Sequence, residues 1–163
     1  MTHQNPQPLA DADIAEAYLK TYALAMRLLA RREHSVFELK QKLVDRKFDS
    51  DVIERVLSEL IELKYLSDER FVEVYVRGRF DRGIGPSRIQ VELRERGIPG
   101  ALMAGSLDEY AACWGDSARR QRIKRFGEEL PFDFQSRARQ TRFLQQRGFT
   151  GEQIRTAFQH DPL

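Results

Sequence analysis

The sequence predicts an all-α protein, an elongated array of three tandem three-helix repeats. Apolar residues recur three or four positions apart along almost the whole chain, which is the spacing of a helix face. Helix-capping residues divide this pattern at short intervals, and one five-residue pattern recurs about every 50 positions. The only β-branched cluster, residues 74–76, lies inside a helical period, so no strand is predicted.

The first repeat is expected at residues 11–66, after a disordered tail at residues 1–10 that is rich in proline and glutamine. Its first helix is predicted to begin at Asp11. Its second begins at Ser35, which forms a capping-box pattern with the glutamate three residues later. Its third begins at about Ser50.

The second repeat is expected at residues 67–105. Ser67 is predicted to cap its first helix, because a serine oxygen can accept from a free amide of the first turn. Glycines after residue 82 end that helix. Pro86 and Pro99 then begin the next two helices, since proline lacks only an amide that has no partner in a first turn.

The third repeat is expected at residues 106–163. Ser106 and Glu109 match a capping box, which predicts that a long helix begins there. The remaining signals divide the rest of the repeat: Pro131 as a helix breaker, Asp133 as the cap of an eighth helix ending near Arg147, and Thr150 with Gln153 as the cap of a ninth.

The repeat is carried by five positions, four of which keep their chemical type in all three copies. Gln140 is the single departure. Because three short helices cannot seal a core alone, neighbouring repeats are expected to stack. The three copies are Leu39, Leu43, Arg46, Phe48 and Ile53; Ile89, Leu93, Arg96, Ile98 and Met103; and Gln140, Leu144, Arg147, Phe149 and Ile154.

The turn inside each repeat is predicted to be a glycine helix cap. Gly97 and Gly148 precede an apolar residue that can fold back on the last helical turn. Lys47 stands at the equivalent place in the first copy, where a left-handed backbone would cost about 1 kcal/mol. The first turn therefore either tolerates that strain or differs in structure.

Composition indicates a cytoplasmic protein of a reducing compartment. The chain has 163 residues and a net charge of +2, and its single cysteine excludes a disulfide framework and a multi-thiolate zinc site. No apolar run approaches the ~20 residues of a membrane span. We expect no cofactor, no metal and no membrane partner.

Catalysis has little support in the sequence. His3, His34 and His160 are scattered, and no paired metal-ligand spacing is present. Cys113 lies beside Trp114 in a helical stripe and is expected to be packed rather than nucleophilic. A binding protein is therefore favoured over an enzyme.

Arginines form two dense groups, one around residues 77–88 and one at residues 119–147. The second group holds nine basic and three acidic side chains. Either group fits a polyanion or an acidic partner, or else an ordinary solvated helix face. Similarly, the turn at Gly85 and Pro86 is either an anion site at a helix start or simply a tight turn. The candidate partner- or DNA-binding residues are Arg77, Arg79, Arg82, Arg88, Arg94, Arg96, Arg119, Arg120, Arg122, Lys124, Arg125, Arg137, Arg139 and Arg142.

Residues 65–98 resemble the RecX family, regulatory proteins of the bacterial recombinase RecA. The resemblance is carried by YLSDERF at 65–71, YVRGR at 75–79 and RGIGPSRI at 82–89. It continues in Glu92, Leu93, Arg96, Gly97 and Ile98. Weaker matches follow Ser35 and Arg142, so that together they cover most of the chain from about residue 20 to 160. Lys47 departs from a glycine that is frequent in the family.

The resemblance implies a curved array of three three-helix repeats that binds the RecA filament on single-stranded DNA, in its helical groove. It further implies inhibition or modulation of ATPase, strand-exchange and co-protease activities, with roles in recombination, DNA repair and the SOS response. Some members also bind DNA. For this chain we expect a monomer or weak dimer.

The alternative is a helical DNA-binding module that acts without RecA. The helix pairs at 35–46 and 50–63 could serve as helix-turn-helix units. A steep dependence of binding on salt, together with indifference to RecA, would identify such a module.

Overall fold

The computed structural model describes residues 11–159, and all regular secondary structure in that range is helical. The expected disordered tail at 1–10 lies outside the described residues, as do His3 and His160. The elements are α1 (Asp11–Leu29), α2 (Val36–Asp45), α3 (Ser50–Glu62), α4 (Asp68–Asp81), α5 (Pro86–Arg94), α6 (Gly100–Asp108), a 3₁₀ turn (Ala111–Cys113), α7 (Trp114–Phe126), α8 (Phe134–Gln146) and α9 (Gly151–Ala157).

The chain divides into two compact units, residues 1–68 and 69–163. In the first unit, α1, α2 and α3 pack around one core. The apolar stripes that the sequence places on these helices form its centre, and the members include Leu24, Ala25, Leu39, Leu43, Ile53, Val56, Leu57, Leu60 and Leu66. A three-helix repeat therefore builds this unit from adjacent amphipathic faces.

Side-chain caps fix the helix starts of the first unit. The Ser35 hydroxyl accepts from the Glu38 amide, and the Asp49 carboxylate accepts from the amides of Asp51 and Val52. The Val36 amide donates to the Asp68 carboxylate at 2.8 Å. These bonds satisfy amides that a helix leaves without internal partners.

The second unit places α4 to α9 around a single continuous core. Residues of both predicted repeats meet in it, among them Phe71, Val76, Ile89, Leu93, Met103, Trp114, Ala118, Leu144, Phe149, Ile154 and Phe158. The expected stacking of neighbouring repeats is thus present here. Sharing one core buries apolar area that either three-helix set alone would leave in water.

A junction between two backbone turns, one before α5 and one after α8, joins the two halves of this core. The Gly85 amide donates to the Arg147 carbonyl at 2.7 Å, and the Ser87 amide donates to the Gly148 carbonyl at 3.0 Å. A Cβ on Gly85 would lie 2.3 Å from the Gly148 carbonyl carbon, and one on Gly148 would lie 2.4 Å from the Arg88 Cβ. Both positions therefore require glycine, because the two backbone turns are in direct contact there.

The predicted glycine helix caps are confirmed, and the first repeat tolerates the strain. Gly97 and Gly148 have φ of 76° and 88°, while Lys47 has φ of 62°. All three turns carry the same pair of bonds, such as the amide of Phe48 to the Leu43 carbonyl and that of Lys47 to the Val44 carbonyl. This is the Schellman pattern. Lys64, with φ of 58°, repeats it after α3 and was missed.

Two expectations in the third repeat are wrong. Ser106 lies inside α6 rather than at the start of a long helix, because Met103 and Leu107 both face the core and keep that segment helical. The helix before Pro131 begins only at Trp114 and ends at Gly127, whose φ is 91°. Cys113, expected to be packed, is exposed.

The strain at Lys47 predicts a stabilising substitution. K47G should raise the free energy of unfolding of the first unit by about 1 kcal/mol, because glycine adopts φ of 62° without a steric cost. Urea unfolding of the full chain, followed by circular dichroism, measures the change. K47A removes the charge but keeps the strain, so an equal gain in K47A would contradict the explanation.

The junction predicts a pair of opposite glycine effects. G85A should destabilise the second unit by roughly 2 kcal/mol or more, because the methyl group meets backbone that cannot move independently. G78A places a methyl in open space on α4 and should be neutral or stabilising by up to about 1 kcal/mol. Thermal unfolding of both variants tests this, and equal melting temperatures would refute the packing argument.

Candidate partner-binding surface

The fourteen candidate cations differ sharply in what surrounds them. Arg137 and Arg139 are exposed but stack on rings. Arg119 is half-buried. The others are either engaged within the second unit or exposed to solvent. Within residues 11–159, no ion pair or side-chain hydrogen bond engages the following exposed members: Arg77, Arg82, Arg94, Arg120, Lys124, Arg125 and Arg142.

Glu92 gathers two of the candidates into a structural network. Its carboxylate lies 2.8 Å from Arg79 Nε and 3.1 Å from Arg88 Nε, and accepts from the Tyr75 hydroxyl at 2.9 Å. Burial acts to raise the pKa of Glu92, but the Tyr75 and Arg88 hydrogen bonds and the charges of both arginines outweigh it and lower the pKa. Arg79 and Tyr75 thus link α4 to α5 through Glu92, whereas Arg88 binds the same carboxylate from one turn earlier on α5.

Arg96 belongs to the same network. Its guanidinium lies 4.9 Å from the centre of the Tyr75 ring, and Arg79 lies 5.3 Å from it. Arg96 Nη1 also donates to the Glu92 carbonyl. A cation over an aromatic face is stabilised by the ring quadrupole, so Arg96 contributes to the fold of this region.

The turn at Gly85 packs against the turn between α8 and α9. The amides of Gly85 and Ser87, on either side of Pro86, donate to carbonyls of that turn and are not available to an anion. Arg147 completes the arrangement, because its Nε donates to the Gly83 carbonyl at 2.9 Å and its Nη2 to the Arg82 carbonyl at 2.7 Å. The tight-turn interpretation therefore describes this segment.

Arg122 is buried, with 3% of its surface exposed. Its Nη groups donate to the carbonyls of Gly127, Glu128 and Glu129, and its Nε to the Ala157 carbonyl, at 3.0 to 3.4 Å. Burial and the nearby charge of Arg119 lower its pKa. Five donors in a planar fork suit this role, so Arg122 fixes the loop after α7 and does not face solvent.

A cationic concavity lies between α7 and α8. It has a volume of about 460 Å³ and no carboxylate in its lining, which is Arg125, Phe126, Arg139, Arg142, Phe143 and Gln146. The two phenylalanine rings meet edge to face at 5.4 Å. Guanidinium groups beside aromatic faces can hold phosphate and a flat base, or acidic and aromatic side chains.

The first unit has a second cationic groove, which was absent from the candidates. Two adjoining concavities there are lined by Lys20, Ala23, Leu24, Arg27, Leu28, Arg31, Arg46 and Phe48. The sequence did carry a signal. Lys20 and Arg27 are seven residues apart and so share a face of α1. Arg31 follows shortly after the end of that helix, and Arg46 occupies the repeat position of Arg96.

Other kinds of site find no support in the described range. Residues 11–159 contain no group of three or more His, Cys, Asp or Glu side chains placed to hold a metal ion. None of the helices described has the length and apolar character to cross a bilayer. His34 is buried, and its Nδ1 lies 3.0 Å from the Arg32 carbonyl.

Sequence models of all three RecX domains match this chain. The model described as the first three-helix domain of RecX matches residues 22–60, the second matches residues 67–107 and the third matches residues 116–158. Together these segments span most of the chain, and they agree in order with the three tandem repeats predicted from the sequence.

Curated relatives named regulatory protein RecX align over most of their length. The protein of Halorhodospira halophila is 46% identical over 133 residues, covering 82% of this chain and 83% of the relative. That of Stenotrophomonas maltophilia is 38% identical over 138 residues, covering 85% of each. That of Pseudomonas syringae pv. tomato is 41% identical over 130 residues, covering 80% and 84%. These names describe regulators and not enzymes.

Two solved structures share the fold. The crystal structure of RecX from Lactobacillus salivarius superposes with a TM-score of 0.75 at 21% identity, covering 88% of this chain and 95% of that one. A crystal structure of regulatory protein RecX gives a TM-score of 0.76 at 18% identity, covering 94% and 81%. The all-α architecture of tandem three-helix domains is therefore confirmed.

The buried guanidinium predicts that Arg122 acts on stability. R122K should lower the free energy of unfolding by about 2 to 4 kcal/mol, because an ammonium group cannot satisfy four carbonyls in a planar fork. R120K, two residues away on the exposed side of α7, should change stability by less than about 0.5 kcal/mol. Chemical denaturation compares the two, and similar losses would contradict the assignment.

Proposed function

The chain belongs to the RecX family of regulatory proteins, and on that premise we propose that it binds the RecA filament on single-stranded DNA and inhibits it. Binding takes place in the helical groove of the filament. The activities held down are ATP hydrolysis, strand exchange and co-protease stimulation. The protein acts in the cytoplasm as a monomer or weak dimer, and it performs no reaction of its own.

The observation that carries this proposal is the set of exposed arginines and lysines without partners on the second unit. Because these seven cations make no ion pair or side-chain hydrogen bond within residues 11–159, no such interaction has to break when they bind an anionic surface. A filament on DNA offers phosphates, and acidic protein side chains offer the same charge. Arginine forks bind both kinds of oxygen in a bidentate manner.

Exposure and internal contacts support a division of the candidate set by role. We assign partner contact to Arg77, Arg82, Arg94, Arg120, Lys124, Arg125, Arg137, Arg139 and Arg142, all of which are exposed. We assign Arg79, Arg88, Arg96 and Arg122 to the fold, since each is engaged inside the second unit. Arg119 is half-buried and receives no contact role.

Inhibition requires only that the bound protein restrict movement between filament subunits. The second unit is suited to this because one core runs through α4 to α9 and the junction at Gly85 ties its halves by backbone bonds. A packed core transmits strain and deforms little. We propose that the three repeats, at 11–66, 67–105 and 106–163, contact successive parts of the groove.

Direct DNA binding is the second candidate. The concavity between α7 and α8 and the cationic groove of the first unit are both lined without a carboxylate. Each contains an apolar or aromatic surface beside the cations. That combination suits single strands, whose bases stack on aromatic rings while phosphates meet cations. In this case the protein would bind oligonucleotides in the absence of RecA.

The decisive experiment is a titration of RecA ATP hydrolysis on single-stranded DNA with the purified protein. The double variant R77E/R82E should raise the concentration for half-inhibition roughly tenfold, because two attractive contacts become repulsive. K42E/R155E changes net charge equally at two exposed cations outside the candidate set and should inhibit like the parent protein.

Two outcomes would contradict this proposal. An unchanged rate of RecA ATP hydrolysis in the presence of the parent protein would refute RecA regulation itself. Full inhibition by R77E/R82E would refute the site alone. Binding to free oligonucleotides that falls steeply with salt, without any effect on RecA, would favour the DNA-binding module instead.

A further inference from the structure

Two phenylalanines project into solvent where the loop after α7 meets the start of α8. Phe132 is fully exposed and Phe134 is 85% exposed, the highest values among the large apolar side chains described. Single exposed apolar residues are ordinary, but two fully or almost fully exposed rings on one short segment are unusual. Nothing in the second unit covers them, and the fold does not need them there.

The backbone of the loop that carries these rings is held at both ends. Arg122 binds three consecutive carbonyls at its start, from Gly127 to Glu129. Leu130 packs against the core before the rings. The Asp133 carboxylate, lying between the rings, accepts from the Ser136 amide and hydroxyl at 2.7 Å and caps α8.

A rigid loop lowers the entropy lost on binding, because its backbone is already ordered in the free protein. Large aromatic side chains with few rotatable bonds add to this effect, and such rings are among the residues on which interface affinity concentrates. The buried Arg122, which has no direct contact role, contributes to this order because it holds the backbone at the start of the loop.

The charge on this loop is opposite to that of its surroundings. Residues 127–134 contain Glu128, Glu129 and Asp133 and no cation, whereas α7 and α8 on either side are rich in arginine. All three carboxylate side chains are exposed. Arg137, the nearest cation along α8, lies 4.5 Å from the centre of the Phe158 ring, at the end of α9.

This charge decides which kind of surface the rings fit. Phosphates would be repelled by three exposed carboxylates on the same eight-residue segment, so the loop is unsuited to stack on nucleic-acid bases. An apolar pocket on a protein, bordered by lysine or arginine, would instead match both the rings and the carboxylates. The cationic concavity between α7 and α8, by contrast, suits a negatively charged ligand.

We propose that residues 127–134 form a protein-docking tip, in which Phe132 and Phe134 enter an apolar pocket with a basic rim on the protein surface of the filament. This deepens the proposed function and rests on it. The exposed arginines meet acidic or phosphate groups, while the tip selects a site on the protein component alone. The tip and the cationic surface would then contact different parts of one assembly.

The test measures affinity for the RecA–single-stranded DNA filament and, separately, for the same DNA without RecA. F132A/F134A should weaken filament binding roughly tenfold or more while binding to free DNA stays unchanged. F132L/F134L keeps apolar side chains and should recover part of the affinity. The helical circular dichroism of both variants should equal that of the parent, since the removed atoms contact solvent.

A second pair of variants tests the basic rim. E128Q/E129Q leaves the carbonyls held by Arg122 in place and removes two negative charges. It should weaken filament binding about threefold and reduce its dependence on salt. Tighter binding of this variant to the filament would overturn the proposal, because it would mean that the tip faces an anionic surface.

The remaining outcomes separate the tip from the proposed function. Equal filament affinity of F132A/F134A and the parent refutes the tip and leaves filament regulation standing. An equal loss on free DNA assigns the rings to nucleic acid and also refutes the protein pocket. Failure of the parent protein to bind the filament at all refutes the proposed function, and the docking tip with it.

Discussion

The close approach of two backbone turns, at Gly85 and Gly148, is the constraint on which the second unit depends. Amides at the start of α5 use carbonyls after α8 as partners, so neither turn satisfies its polar groups alone. Burial of both turns would otherwise leave unpaired donors and acceptors, each costing about 1 to 3 kcal/mol. The two repeats therefore fold around one core, and every cation on α4, α5, α7 and α8 is positioned relative to that junction.

The junction also explains why arginines of one sequence pattern have different roles. Arg147 bonds the carbonyls of the opposite turn, and Arg88 reaches Glu92 on its own helix and the Gln146 carbonyl. A dense arginine sequence thus contains a minority with contacts inside the second unit and a majority that is exposed to solvent.

Local signals in the sequence were sufficient for most helices but not for the fate of each arginine. Periodicity placed α3 at Ser50, and the caps Asp133 and Thr150 lie where the sequence placed them, because such signals act within one turn of chain. The Ser106 cap failed because core burial of the residues on either side outweighs a side-chain cap worth about 1 kcal/mol. The role of Arg122 could not be predicted either, because its four acceptors are backbone carbonyls of a loop and of α9, and no sequence pattern marks them.

A regulator without chemistry needs both attraction and selectivity, and these come from different physics. Exposed cations act over about 10 Å at ordinary salt and speed encounter with any anionic surface, but they discriminate poorly between DNA and acidic protein. Aromatic side chains act only at contact, and they discriminate by shape. In the binding mode that we propose, these two functions fall on different segments of the second unit, because Phe132 and Phe134 lie on an acidic segment between arginine-rich helices. The buried Arg122 anchors the start of that acidic segment through three backbone carbonyls.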